Sequence, residues 1–182
     1  MFKTAGIGCL VFLFANIALA DQPSPYVDQQ QREIKALSPQ EVREYLEGKG
    51  MGLAKAAELN HFPGPLHVLQ LADKLQITPE QKTQTERIYA AMQIEAKTLG
   101  KVLVDKEREL DRLFASGGIE TIKLRSLVAE IGRLQAGVRK AHLQAHLEQK
   151  AILTPAQVAA YDELRGYISG RNSKHPHSSS NH

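Results

Sequence analysis

Apolar residues recur at helical spacing, in steps of three, four or seven, along two long stretches of the chain. In the first stretch they are Ile88, Met92, Leu99, Leu103, Leu110 and Phe114. In the second they are Leu124, Leu127, Ile131, Leu134, Val138 and Ala141. Each pattern predicts an amphipathic helix with one apolar stripe. Since only the short turn Ser116-Gly117-Gly118 separates the two stretches, we predict an antiparallel helical hairpin that buries both stripes.

Three short motifs mark helix starts. In Thr78-Pro79-Glu80-Gln81, a threonine at the N-cap precedes a proline at the first helical position, and the glutamine can reach back to the Thr78 amide. Thr154-Pro155-Ala156-Gln157 repeats this capping box, and Ser38-Pro39-Gln40-Glu41 is a variant with glutamate. We therefore predict that the hairpin begins after Thr78 and that a last helix runs from Pro155 to about Ile168.

Shorter helices are expected before the hairpin. Their predicted ranges are Ser38 to about Gly48, Met51 to Leu59, and Pro65 to about Leu75. Residues 21–37 are polar and contain two prolines, so we predict a flexible arm there, and residues 170–182 have the composition of a disordered tail. The fold class is therefore all-α, with a long antiparallel hairpin and shorter flanking helices in one domain at 38–169.

The first twenty residues have the parts of a secretion signal. Lys3 precedes an apolar run from Ala5 to Leu19, and Ala18-Leu19-Ala20 supplies the small residues of a cleavage site. The run is shorter than the roughly 20 apolar residues that a spanning helix needs. We predict a signal peptide at 1–20 cleaved after Ala20, export to the periplasm, and no stable membrane span after cleavage. The single cysteine, Cys9, lies in this run, so the mature chain should contain no disulfide or thiolate site.

Composition narrows the class of protein. The formal net charge is +3, and subtracting Lys3 leaves +2 after the predicted cleavage, which argues against a nucleic acid partner. Aromatic residues make up 5% of the chain, so the core must consist of aliphatic side chains, and we expect this thin bundle to complete its core as a homodimer. The sequence has no glycine-rich phosphate loop, nucleophile elbow or His-Glu-x-x-His motif, so we expect a binding protein rather than an enzyme.

The boxes at Ile77 to Gln81 and Leu153 to Gln157, which flank the hairpin behind a signal peptide, resemble the LTxxQ motif of the Spy/CpxP family of periplasmic chaperones and stress regulators. The resemblance spans about Met51 to Tyr167. It implies a curved homodimer whose concave face holds unfolded or misfolded envelope proteins without ATP. CnrX-like and ZraP-like relatives imply a first alternative, a heavy-metal sensor or metal-binding resistance protein. A second alternative is a structural partner of a membrane sensor kinase.

Histidines supply a candidate metal site. His142 and His146 are one helical turn apart, so both imidazoles project from one side of the helix and can hold one ion. His67, on the helix before the hairpin, would supply a third ligand. The carboxylates that could complete the shell are Glu58, Glu95 and Glu148. Nitrogen and oxygen ligands favour Zn²⁺, Ni²⁺, Co²⁺ or Cu²⁺ over Cu⁺, and no cofactor is expected to be required.

The metal site has an alternative interpretation. In CnrX-like relatives two histidines four residues apart, a glutamate and a further histidine hold the metal, whereas here Leu71 follows His67 by four. The three histidines could instead pack at helix ends or cap neighbouring groups. The histidines of the tail, His175, His177 and His182, are more typical of a solvated segment than of a site.

Basic residues on the two long helices are interleaved with glutamates and aspartates. Such interleaving is typical of a solvated face. In a chaperone the same basic groups would steer acidic unfolded clients, while neighbouring leucine, isoleucine and methionine side chains make adaptable contacts. Both interpretations are compatible with the sequence.

Overall fold

A computed structural model describes residues 23–168 of the chain. Its helices, in chain order, are α1 (Pro39–Glu47), α2 (Lys55–Glu58), α3 (Pro65–Gln70), α4 (Ala72–Leu75), α5 (Pro79–Ala115), α6 (Thr121–Ile152) and α7 (Pro155–Arg165). No strand occurs between residues 23 and 168, so the predicted all-α fold class is confirmed. None of the helices in this range is both long and apolar enough to cross a membrane. The predicted signal peptide and the predicted tail lie outside the described residues.

The chain divides into two compact units, one ending at Gln30 and one beginning at Gln31. Within the first unit, residues 23–30 form turns in which the amides of Val27 and Gln29 donate to the carbonyls of Ser24 and Tyr26. The second unit contains all seven helices and every candidate residue described below.

All three predicted capping boxes are present. The hydroxyls of Ser38, Thr78 and Thr154 accept from the amides three residues later, at 3.1, 3.1 and 3.2 Å. In return, the third-position side chains accept from the N-cap amides at 2.8 to 2.9 Å. These reciprocal bonds, with a proline in the first turn of each helix, set the starts of α1, α5 and α7 where the sequence predicts them.

Helices α5 and α6 form the predicted hairpin. Met92, Ala96 and Leu103 of α5 and Leu127, Ile131 and Val138 of α6 are among the buried residues of the two stripes. Gly117 takes a φ of 67° in the turn between the helices, which is why a glycine follows the end of α5. We call the turn end of the hairpin its tip, and the end formed by the start of α5 and the end of α6 its base.

The glutamines of the two LTxxQ-type boxes are hydrogen-bonded to each other at the base. The Nε2 of Gln81 donates to the Oε1 of Gln157 at 2.9 Å, and the Nε2 of Gln157 donates to the Oε1 of Gln81 at 3.0 Å. Gln81 Nε2 also donates to the carbonyl of Ile152, the last residue of α6, at 2.8 Å. The residue that opens the second box, Leu153, is buried in a core cluster with Val68, Leu75 and Tyr161. This Gln81–Gln157 clasp therefore joins the starts of α5 and α7 to the end of α6.

Near the middle of the hairpin, α1 and the residues before it pack on α5. Ile34 and Leu37 are buried against Val104, and the amide and the Nζ of Lys35 both donate to the carboxylate of Asp111, each at 3.1 Å. These contacts fix residues 31–37 to the hairpin, whereas the sequence predicted a flexible arm over the whole of residues 21–37. Two apolar residues three apart are too few to reveal a packed segment from sequence.

Several helix bounds differ from the predicted ones. Helix α2 covers only Lys55–Glu58, because Met51 and Gly52 have φ values of 48° and 74°, which no α-helix allows. The helix predicted from Pro65 to Leu75 is interrupted at Leu71, which separates α3 from α4. Helix α7 ends at Arg165 because Gly166 adopts the left-handed conformation of a C-cap. The homodimer stays a prediction.

Candidate ligand site at the base of the hairpin

The candidate site lies where the loop between α2 and α3 meets α6 and α7. In this loop His61 has a φ of 65°, and its Nδ1 lies 2.7 Å from the Oδ2 of Asp162 on α7. The Asp162 side chain is buried, whereas the His61 ring is half exposed. The His61–Asp162 pair therefore ties the loop to α7 from the solvent side.

Glu58, the last residue of α2, makes a second contact, with α7 and the residues that follow it. Its Oε1 accepts from the hydroxyls of Tyr161, at 2.6 Å, and Tyr167, at 2.8 Å. The guanidinium of Arg165 is 3.5 Å from the same oxygen. Burial, followed by the hydrogen bond and charge of Glu58, raises the pKa of Tyr161, so this phenol stays neutral and donates. The other oxygen, Oε2, is buried and has no hydrogen-bond partner among the described residues.

His146 of α6 lies between this network and the hairpin. Its Nδ1 is 2.7 Å from the carbonyl of Phe62, to which it must donate since a carbonyl only accepts. The same nitrogen is 3.6 Å from Glu58 Oε2. In the neutral ring, Nε2 is then left with its lone pair free. A side chain at position 64 would come within 3.2 Å of this Nε2, so Gly64 leaves the space beside it open.

His142, one turn earlier on α6, is 4% exposed, and its Nε2 has no hydrogen-bond partner among the described residues. Burial, and secondarily the positive charge that His146 can carry, lower the pKa of His142, while the Lys49 carbonyl partly opposes the shift. The ring is therefore neutral at neutral pH. A buried, unsatisfied nitrogen of this kind costs stability unless something occupies it.

The three predicted histidines line one cavity of about 200 Å³, together with Gly64, Met92 and other residues. A neighbouring cavity of about 300 Å³ shares His67 and His146 and adds Glu58 and Arg165. The structure thus brings His67, His142 and His146 to the same part of the fold. Nevertheless, within residues 23–168 no group of three or more histidine, cysteine, aspartate or glutamate side chains is arranged to hold a metal ion.

The three carboxylates predicted as possible ligands differ in their distance from the histidines. Glu58 lies beside His146, whereas Glu95 is exposed on α5 and Glu148 lies with Ile88 in a different groove. The Nδ1 of His67 lies 2.9 Å from the side-chain oxygen of Gln70 on its own helix, so its partner comes from α3 alone, whereas His146 bonds to a different element of the fold. The histidines of the tail lie outside the described residues.

Several residues of the site were not predicted from sequence. Met92 was assigned only to the apolar stripe, and Tyr161 only to the last helix. His61 and Asp162 are 101 positions apart in sequence, so no spacing signal connects them. The sequence of α6 did contain one signal of the site. The buried positions Leu127, Ile131 and Val138 follow one another in steps of four and seven, and the next two positions in the same series are the polar residues His142 and Gln149. Polar residues in an apolar register indicate a specialised end of the helix.

The hairpin also exposes large apolar side chains, at positions from its base to its tip. Those that are at least half exposed are Ile94, Phe114, Ile122, Val128 and Leu147. Ile122 and Leu147 are 25 residues apart on α6, a spacing of almost seven full turns, so they lie on the same face. Arg133 and Lys140 lie at intermediate positions on that face and have no ion pair among residues 23–168. We call these four residues the outer face of α6.

Comparison with known proteins gives one match. Residues 66–165 match the family described as LTXXQ motif family protein, which is more than half of the chain. No curated protein matches the chain. No solved structure matches it either.

Proposed function

The chain belongs to the LTXXQ motif family, and from that premise we propose that it is a periplasmic protein of the Spy/CpxP type that binds unfolded or misfolded envelope proteins without ATP. The observation that carries this proposal is the outer face of α6, where the exposed apolar residues Ile122 and Leu147 flank two basic residues that have no ion pair within residues 23–168. A chaperone of this kind needs apolar contact surface that is open in the folded protein.

Apolar contacts on this face would supply affinity. Ile122 is 82% exposed and Leu147 is 51% exposed, so each can bury further area against a client. Partial burial of each side chain is worth about 1 kcal/mol at about 25 cal/mol per Å². Because the two residues are far apart along α6, an extended client would contact both at once, and their contributions would multiply in the binding constant.

Basic residues on the same face would accelerate association with acidic clients. Near the tip of the hairpin, two lysines pair with carboxylates: Lys106 pairs with Glu130 at 3.2 Å and Lys123 with Glu109 at 2.6 Å, in both cases between α5 and α6. Those pairs hold the hairpin together. Arg133 and Lys140 are left to act at long range, which increases the rate of encounter and makes it dependent on ionic strength.

The proposal is tested by aggregation of a reporter enzyme diluted out of guanidinium chloride, in the absence of ATP. The double variant Ile122→Ser and Leu147→Ser should need roughly thirty times more protein for the same protection, since about 2 kcal/mol of contact is lost from two sites. The matched control is Ile94→Ser, which removes from α5 an isoleucine that is 69% exposed, between the exposures of Ile122 and Leu147. Equal protection by the double variant and the parent protein, with circular dichroism unchanged, would refute the proposal.

A second candidate function, metal-responsive binding, is supported by the buried Nε2 of His142 and the cavity that it lines with His67 and His146. Calorimetric titration with Zn²⁺, Ni²⁺, Co²⁺ and Cu²⁺ tests it. All proteins in this titration carry serine in place of His175, His177 and His182, so that the tail contributes no ligands. Saturable binding that His142→Ala abolishes would support this function, and no binding by the unaltered core would remove it.

A further inference from the structure

Met92 lies opposite the candidate histidines across the hairpin. Thr85 of α5 is in contact with Gln149 of α6, whose Nε2 donates to its hydroxyl at 3.1 Å. In an antiparallel pair, the residue seven positions after Thr85 faces the residue seven positions before Gln149. Those residues are Met92 and His142. Both are buried, and both line the cavity of about 200 Å³ that His146 also lines.

The Nε2 atoms of His142 and His146, two of the residues that line this cavity, are available as ligands. His142 Nε2 is buried without a hydrogen-bond partner among the described residues, so an occupant of the cavity would satisfy it. His146 donates its Nδ1 proton to the Phe62 carbonyl, which fixes the ring and directs the lone pair to Nε2. A histidine that binds a metal through one nitrogen almost always donates the other N–H to a carbonyl, a carboxylate or water in this way.

The charge and softness of the lining indicate which ion would bind. Among the described residues, Glu47 is the only carboxylate that lines this cavity, and it is already 3.5 Å from the ammonium of Lys49. The nearest other carboxylate, Glu58, lies 3.6 Å from His146 Nδ1 but lines the neighbouring cavity, so a hard divalent ion would find little negative charge in this one. A thioether with two imidazoles is a soft, uncharged ligand set, which favours Cu⁺. The sequence alone favoured divalent ions because it did not place Met92 beside the histidines.

We propose that the Sδ of Met92 and the Nε2 atoms of His142 and His146 bind Cu⁺ at the base of the hairpin. This inference rests on the metal-responsive candidate function and makes it specific. His67 is not a ligand in this site, and neither is Glu58, which lines the neighbouring cavity. The three ligands come from two helices that the Gln81–Gln157 clasp holds together, so the ion would connect α5 to α6.

The affinity for Cu⁺ is measured by competition with bicinchoninate, anaerobically and with ascorbate, on the full chain carrying serine at the three tail histidines. Met92→Leu keeps the volume of the side chain and removes the sulfur. It should weaken binding at least about tenfold, since even loss of a partner behind a ligand typically costs roughly 10- to 100-fold. His142→Gln should weaken binding at least as much. Met51→Leu, the same substitution in the neighbouring cavity, is the matched control and should bind as the parent does.

X-ray absorption of the copper-loaded protein gives an independent readout. The parent protein should show a copper–sulfur scattering path in addition to nitrogen, and Met92→Leu should lose the sulfur path alone. Circular dichroism of the metal-free variants verifies that they fold. Unchanged Cu⁺ affinity in Met92→Leu, or a loss in Met51→Leu instead, would overturn this site. If Met92→Leu is silent while Zn²⁺ still binds through His142, the copper site is wrong but the metal-responsive function stands; if no ion binds, both are wrong.

Discussion

Replacing Gln81 with methionine should destabilise the protein strongly although it retains the length and volume of the side chain. The Gln81 side chain takes part in four hydrogen bonds: it accepts from the Thr78 amide and from Gln157 Nε2, and it donates to Gln157 Oε1 and to the Ile152 carbonyl. Methionine can make none of them. If the Gln81 side chain contributed nothing to stability, the substitution would leave the free energy of unfolding unchanged.

The magnitude follows from where the four bonds lie. The Thr78 amide is exposed and can bond to water in the variant, so this bond contributes little. The other three are partly buried and join α5 to Gln157 and Ile152. At about 1 kcal/mol net for each, the loss is about 3 kcal/mol. For a chain of this size that corresponds to a decrease in Tm of about 6–12 °C.

Urea unfolding followed by circular dichroism measures the free energy of unfolding, and Gln135→Met serves as control because Gln135 is exposed on α6. A double-mutant cycle with Gln157→Met isolates the reciprocal pair. The double variant should be about 2 kcal/mol more stable than the sum of the single losses implies, since both single variants remove the same two bonds. A loss under about 0.5 kcal/mol for Gln81→Met, or strict additivity, would refute the clasp.

Three further predictions concern single buried positions. Gly100→Ala should lower Tm, because a Cβ there would overlap the Tyr45 backbone, whereas the control Gly132→Ala, in open space on α6, should stabilise by about 0.5–1 kcal/mol. Burial raises the pKa of Glu107, so the folded state loses stability as pH rises above about 4.5, and Glu107→Gln should raise Tm at pH 7 but not at pH 4. Burial lowers the pKa of His142, so the metal-free protein should lose stability as pH falls below about 6.5, and His142→Gln should flatten that thermal profile.

The elements that the sequence predicts well are those with a complete local signal. The three capping boxes contain the cap, the proline and the returning side chain within four residues, and all three start a helix. The hairpin follows from two long apolar stripes. By contrast, the helix is interrupted at Leu71 and the backbone is left-handed at Met51 and His61, although none of these three residues is a glycine. Nothing local in the sequence distinguishes such residues from helical ones.

The candidate site is predictable only in part for the same reason. The i, i+4 spacing of His142 and His146 is a local feature, and both residues do face the base. His67 reaches the same cavity, as expected, but its Nδ1 bonds within its own helix. That Glu58, rather than Glu95 or Glu148, lies beside His146 could be seen only in the fold, because α2 is joined to α6 by tertiary contact alone. The glutamine of each box could be predicted as a cap but not as the partner of the other.

The distribution of polar residues along the hairpin supports a ligand site at its base rather than at its tip. A chain selected only for a stable hairpin would keep the buried register of α6 apolar to its end, because each buried polar group must find a partner or cost stability. Instead, His142 and Gln149 fill that register, and each leaves one buried atom without a partner among the described residues. The clasp stabilises the same end of the molecule, which offsets that cost. Buried polar atoms without partners, at the end of the hairpin that the clasp holds together, are what a functional site imposes on a fold.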